Sequence, residues 1–119
     1  MNRKGTFGEN YAAGYLTERG YSIVERNFRT PSGEIDIIAH DATYIVFVEV
    51  KARRSQTYGT PREAVDWRKR KRLTEAVGLY LATHKTEYQP RFDVIEILTN
   101  DAFTRVLEIT HLPNAFEGN

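Results

Sequence analysis

The chain has 119 residues, 40% hydrophobic and 28% charged, with a formal net charge of +1 and no cysteine. This length suits one globular domain, 1–119, large enough to bury about two thirds of the surface an unfolded chain exposes without disulfide or metal staples. The absence of cysteine excludes thiol nucleophiles, thiolate zinc sites and redox pairs. The longest strongly apolar run, Tyr44–Val48, is far short of the roughly 20 residues a membrane span needs. Met1-Asn2-Arg3-Lys4-Gly5 carries positive charge with no apolar stretch behind it, so neither membrane insertion nor secretion is expected. The expectation is a soluble, cytoplasmic protein.

In chain order, Thr6-Phe7-Gly8-Glu9 fits a capping box, with the Thr6 hydroxyl taking a free amide and Glu9 reaching back. A first helix is expected to start there. Phe7, Tyr11, Ala12, Tyr15 and Leu16 recur at helical spacing, and Gly20 stands where a left-handed cap ends a helix. Tyr21–Phe28 reads as a strand, closed by the Pro31-Ser32-Gly33 turn. Glu34–Ala39 and Tyr44–Lys51 form two further strands joined by His40-Asp41-Ala42-Thr43, which predicts an antiparallel hairpin. The second of these is apolar on both faces until Glu49, the pattern of a central, buried strand.

Arg53–Gly59 reads as a polar loop, and Thr60-Pro61-Arg62-Glu63 as a second capping box with proline at the first helical position. The helix that follows is expected to end near Thr83, with Val65, Leu73, Ala76, Val77, Tyr80 and Leu81 facing a sheet. Phe92–Leu98 and Thr104–Ile109 complete the strands across an Asn100-Asp101 turn. The order α-β-β-β-α-β-β predicts an α/β domain, a central mixed sheet flanked by helices, because each apolar face must be covered.

The near-zero net charge hides an uneven distribution. Between Lys51 and Arg72 there are nine basic residues and two acidic ones, +7 over the segment, leaving −6 for the remainder. Such asymmetry fits an electropositive patch for a polyanion, and equally a solvated helix face.

Alternation puts Glu34 and Asp36 on one face of their strand, and Phe47, Glu49 and Lys51 on one face of the next. In one hairpin register Asp36 stands opposite Glu49; in the neighbouring one Glu34 does, with Asp36 diagonal to it. Either way carboxylates share a face with β-carbons about 4.5 to 8 Å apart. Carboxylates that close repel unless a cation lies between them. A hard divalent ion suits such oxygen ligands, with substrate phosphate completing its shell. Lys51 would add a fixed charge for the phosphate or the attacking water. The plainer alternative is that Glu49 and Lys51 end a core strand, with Lys51 paired to Asp36 or Glu34.

Gly33-Glu34-Ile35-Asp36 followed by Phe47-Val48-Glu49-Val50-Lys51 resembles the PD-(D/E)xK nuclease superfamily, with Ile35 where its motif has proline. More closely, the chain resembles the YraN-like family of bacterial predicted endonucleases, distantly similar to archaeal Holliday-junction resolvases. The likeness includes Gly8-Glu9, Arg26-Asn27, Val65 through Lys69, Leu73, Arg91-Phe92-Asp93-Val94 and Asn114-Ala115-Phe116. It implies a restriction-endonuclease-like core in which Asp36 and Glu49 hold Mg2+ or Mn2+, Lys51 assists the water or phosphate, and Glu9 completes the catalytic set. The implied activity is metal-dependent DNA endonuclease action, with branched or structured DNA as the substrate that the resolvase likeness suggests and a homodimer as the form that resolves junctions. A nucleic-acid-binding module that keeps the scaffold without catalysis is the alternative.

Glu9 serves either as a helix cap or as a ligand, and Glu34 either as an outer-sphere or second metal ligand or as an exposed strand residue beside a turn. Arg53, Arg54, Arg68, Lys69, Arg70, Lys71 and Arg72 are expected to contact nucleic-acid backbone phosphates. Lys69 lies close to the apolar stripe of its helix, so it either snorkels outward or reaches the site. Tyr58 and Trp67 either stack on bases or pack at the core edge. Asp93 pairs with Arg91 or makes a turn contact. His40, His84 and His111 show no metal-binding spacing and read as surface residues. The Gly5-x-x-Gly8 spacing is too common to mark a phosphate cradle, and no Walker, dinucleotide-binding or nucleophile-elbow signature is present.

Overall fold

The computed structural model describes residues 3–54 and 67–115. The elements are α1 (Arg3–Glu18), β1 (Ser22–Thr30), β2 (Gly33–His40), β3 (Tyr44–Arg54), α2 (Trp67–Thr83), β4 (Gln89–Thr99) and β5 (Val106–Leu112). The five strands form one sheet in sequential order β1-β2-β3-β4-β5. β3 and β4 are parallel and the other neighbours antiparallel, which makes the sheet mixed. The single parallel pair requires a crossover connection, and α2 lies within it. The predicted α/β order is the order observed.

α1 begins at Arg3, ahead of the expected start. Thr6 is therefore inside the helix and cannot be its N-cap. The local Thr-x-x-Glu signal is overridden because Arg3 and Lys4 are good helix formers that extend the helix. The buried face is Gly8, Ala12 and Leu16 at four-residue spacing; Tyr11, expected on that stripe, is exposed. A Cβ added at Gly8 would lie 2.8 Å from Ala52 Cβ, so this position brings α1 close onto β3. Gly20 ends the helix at φ 93°, with Gly20 N–H donating to Thr17 O and Tyr21 N–H to Leu16 O, the paired bonds of a Schellman cap.

The second capping box (Thr60–Glu63) and Val65 lie outside the described residues. Leu73, Ala76, Val77 and Tyr80 of α2 are buried and pack with Ile35, Ile38 and Phe47 on one face of the sheet. α1 covers the other face, where Ala12 and Leu16 meet Ile37, Val46, Val48 and Ile95. β3 is buried on both faces from Ile45 to Val48, in agreement with its unbroken apolar run.

β3 continues through Arg54, where a loop was expected. Its parallel ladder with β4 carries on through Arg53↔Leu98 and Arg54↔Thr99, and this non-local pairing decides the conformation of the arginines. The β2–β3 ladder, in contrast, runs only from His40↔Ile45 to Ile37↔Val48. Beyond it β2 remains with β1 as far as Thr30↔Gly33, while β3 remains with β4. Asp36 and Glu49 are thus the first residues past the point where the two strands part, in the register that sets them opposite each other. No helix among the described residues is long and apolar enough to cross a membrane.

Candidate functional site

Where the β2–β3 ladder ends, the Val50 amide has lost its place in that pairing. It donates instead to Asp36 Oδ2 at 2.8 Å. This bond anchors the Asp36 carboxyl across the gap between the strands. Asp36 is 9% exposed, and burial, reinforced by the charge of Glu49, pushes its pKa up to about 8 against the pull of the Val50 amide.

Glu49 is also buried. Its Oε1 lies 2.6 Å from Lys69 Nζ and 3.9 Å from Lys51 Nζ. Lys69, whose role the sequence left open, therefore reaches the site from α2. Burial works against its ammonium, but the Glu49 carboxylate outweighs burial and the net shift is upward. Lys51 shifts the other way: burial and then the neighbouring Lys69 charge pull it below the ordinary lysine range, against Glu49 and Asp36. One ammonium is thus held firmly charged while the other is made easier to deprotonate.

Asp36 also belongs to a group of three carboxylates. One oxygen each from Glu9, Glu34 and Asp36 lies within 4.8 Å of the others. Glu9 comes from α1, and with Thr6 inside the helix it is released from the capping role. Its Oε1 accepts a hydrogen bond from Asn27 Nδ2 at 2.9 Å, with Arg26 Nη2 3.8 Å away. Glu34 accepts from Arg29 Nε at 2.7 Å. Glu49 lines the same cleft but is engaged by lysines. The donor set of the three carboxylates is all hard oxygen, and Asp36 ionises with difficulty in the absence of a compensating cation. These residues fit a magnesium-type ion.

Between β2 and α2 lies a cleft of about 320 Å³, lined by Gly33, Glu34, Asp36, Glu49, Lys69 and Arg72 together with Leu73. It presents acidic groups from the sheet and basic groups from the helix. Arg68, Arg70, Lys71 and Arg72 are exposed on α2, whereas Lys69 is half-buried. Arg54 holds its guanidinium 5.2 Å from the Phe103 ring centroid. Arg53, expected on backbone phosphates, is turned against buried Glu96, with Nε 2.7 Å and Nη2 2.6 Å from Oε2. Tyr58 and the side chain of Trp67 lie outside the described residues.

The remaining sequence expectations divide. Asp93 makes both contacts considered for it, accepting from Arg91 Nε and Nη2 at 2.9 and 2.8 Å and from the Asn114 amide at 3.0 Å. His111, read as a surface residue, is instead drawn in, with Nε2 2.6 Å from Asp93 Oδ2 and Nδ1 3.3 Å from the Tyr15 hydroxyl. His40 stacks on Tyr88 and His84 on Tyr80. Asn27 and Arg26, which hold Glu9, were recognised only as part of a family likeness. The one local signal for Asn27 is that asparagine tolerates a left-handed backbone.

A mixed five-stranded sheet between two helices, with acidic residues and a lysine where two central strands part, defines an α/β domain with a carboxylate–lysine cleft. Within that class, the chain belongs to the YraN-like family, described as uncharacterised protein family UPF0102, whose model matches residues 8–97. It is similar to a UPF0102 protein of Caldanaerobacter subterraneus, 44% identical over 119 residues, covering 98% of each chain. A UPF0102 protein of Thermodesulfovibrio yellowstonii is 46% identical over 112 residues, 94% of each chain. One from Dictyoglomus thermophilum is 40% identical over 119 residues, 98% of this chain and all of that one.

Proposed function

We propose that the protein is a metal-dependent endonuclease that hydrolyses phosphodiester bonds in DNA. The observation that carries this reading is the meeting of Asp36, Glu49, Lys51 and Lys69 where β2 and β3 part, beside the Glu9–Glu34–Asp36 cluster. Asp36 and Glu9, with Glu34, would hold Mg2+ or Mn2+, and Glu49 would join them when its lysine partner yields. Bound there, the ion would supply Lewis-acid charge to offset the negative charge that develops on the phosphate.

The chain's own residues supply the rest. Lys69 stays protonated and brings charge to the cleft, where it can hold the scissile phosphate. Lys51, with its lowered pKa, is suited to orient the attacking water and exchange a proton with it. Arg72 at the rim, and Arg68, Arg70 and Lys71 further along α2, bind flanking backbone phosphates without reading bases. Branched or structured DNA as the substrate rests on the likeness to junction resolvases, and a homodimer follows from it, since resolution requires two symmetric cuts.

The test is cleavage of supercoiled plasmid and of a four-way DNA junction in Mg2+ or Mn2+. Asp36→Ala, Glu49→Ala and Lys51→Ala should each lower the rate by about a hundredfold or more. Equal cleavage by wild type and all three variants would identify a contaminant and overturn the reading. Salt-dependent DNA binding with no cleavage and no response to Asp36→Ala would instead favour the non-catalytic module. Light scattering with junction DNA present should show a dimer, and a strict monomer would remove the resolvase-like substrate.

A further inference from the structure

Asn27 lies in β1 between the ladder pairs Arg26↔Ile37 and Phe28↔Ile35, which sets it across from Asp36. Its φ is 55°, a left-handed conformation unusual inside a strand and one that asparagine adopts more readily than most residues. From this backbone its carboxamide reaches α1. Glu9 Oε1 can only accept, so the atom facing it at 2.9 Å is the amide nitrogen. Arg26 makes the parallel contact one residue along, donating from Nη2 to Asn10 Oδ1 at 2.8 Å. Two consecutive residues of β1 thus grip two consecutive residues of α1.

The grip has a consequence for the cluster. Glu34 and Asp36 share a strand, so their spacing is fixed by β2. Glu9 arrives on a separate helix with a flexible side chain. Among the described residues its carboxylate is held by Asn27 and Arg26, and both stand on the strand that pairs with β2. Carboxylates that ligate metals are themselves held by hydrogen bonds, and loss of such a support typically weakens metal binding by about 10- to 100-fold.

We propose that Asn27 is the positioning residue of this site: its left-handed backbone aims the carboxamide that fixes Glu9 beside Asp36 and Glu34 as the third oxygen donor for a divalent ion. The proposal rests on the metal-site reading above. Asn27 need not touch the ion; it acts through Glu9.

The experiment is calorimetric titration of the full chain with Mn2+, for wild type, Asp36→Asn, Asn27→Gly, Glu9→Gln and the double variant Asn27→Gly/Glu9→Gln. Glycine accepts the left-handed backbone, so Asn27→Gly removes the carboxamide while leaving the fold, which a thermal melt verifies. Asn27→Gly should weaken Mn2+ binding about 10- to 100-fold. In the Glu9→Gln background the same change should add almost nothing, because the two residues act as one unit. Wild-type affinity in Asn27→Gly, or losses that simply multiply in the double variant, would overturn the positioning role while leaving the metal site standing. Mn2+ binding that is absent from wild type, or unaffected by Asp36→Asn, would overturn the metal site and this proposal with it.

Discussion

Lys69 Nζ stands 2.6 Å from Glu49 Oε1, closer than Lys51 Nζ at 3.9 Å, although Lys51 is the lysine two residues along the same strand. The nearer cation for the buried glutamate therefore comes from the helix across the cleft. Lys69→Met should leave Glu49 without its nearest positive charge and, in EDTA at pH 7, destabilise the fold by roughly 1 to 3 kcal/mol. That value is reduced from the full cost of breaking a buried pair because Lys69 remains partly exposed. Lys51→Met should cost less. Urea midpoints of both variants, with and without Mg2+, check this; a larger loss for Lys51→Met would contradict the ranking by distance.

The raised pKa of Asp36 makes metal-free stability depend on pH. A carboxyl whose folded pKa is about 8 contributes fully while it is protonated in both states, below the unfolded value of about 4. That contribution is lost as the pH rises through about 8. Asp36→Asn abolishes the effect, so the variant should gain on wild type between pH 5 and pH 8.5, by an amount on the order of 2 to 5 kcal/mol. Urea titrations in EDTA at the two pH values measure it, and a gap that does not change with pH would refute the shift. Saturating Mg2+ should narrow the gap, since the ion favours the ionised carboxylate.

Asp93 titrates in the opposite sense. Burial alone would push its carboxyl up, but His111, Arg91 and the Asn114 amide outweigh burial and hold it below the usual range. Its contribution is present above the unfolded pKa of about 3.9 and is lost as the pH falls through the lower folded value. Asp93→Asn would strand the Arg91 guanidinium, only 13% exposed, and should cost about 3 to 5 kcal/mol at neutral pH. The deficit relative to wild type should shrink below about pH 4. Chemical denaturation at pH 7 and pH 3 would show this, and a deficit that persists unchanged at pH 3 would mean that the ion pairs are not its source.

The contact between α1 and β3 offers a compensation test. Gly8→Ala places a methyl 2.8 Å from Ala52 Cβ, and overpacking of this kind costs about 1 to 3 kcal/mol. Combining it with Ala52→Gly restores the space, so the double variant should recover much of the loss once the intrinsic strand cost of glycine, about 0.5 to 1 kcal/mol, is allowed for. Thermal melts of the single and double variants decide the point. No recovery would place the strain elsewhere.

The part of the site built on β2 and β3 was legible in the sequence because strand alternation is local: Glu34, Asp36, Glu49 and Lys51 follow from a period of two and a short connection. Choosing between the two registers required the ladder itself. Glu9 was ambiguous because Thr6 and Glu9 imitate a helix start, a local signal that the extra turn from Arg3 overrides. Arg53 and Arg54 looked like loop because their conformation is set by pairing with Leu98 and Thr99, 45 positions further along the chain. His111 carried no local mark of its contact with Asp93 for the same reason. Lys69 was visible as a misfit on an apolar stripe, and the cleft explains it. Asn27 was the least legible, because its role depends on a backbone angle that no residue pattern announces.

β1 is an outer strand of the sheet, and outer strands expose unpaired backbone groups to any other extended chain. Here the edge is irregular twice over, with a register shift between Ile23 and Glu25 and a left-handed residue at Asn27. An incoming strand needs a continuous, evenly spaced row of donors and acceptors, and this edge breaks that row within a few residues. The kink that turns a carboxamide toward α1 therefore also interrupts the edge that an incoming strand would need, so that one short stretch of backbone shapes both the contact with α1 and the rim of the sheet.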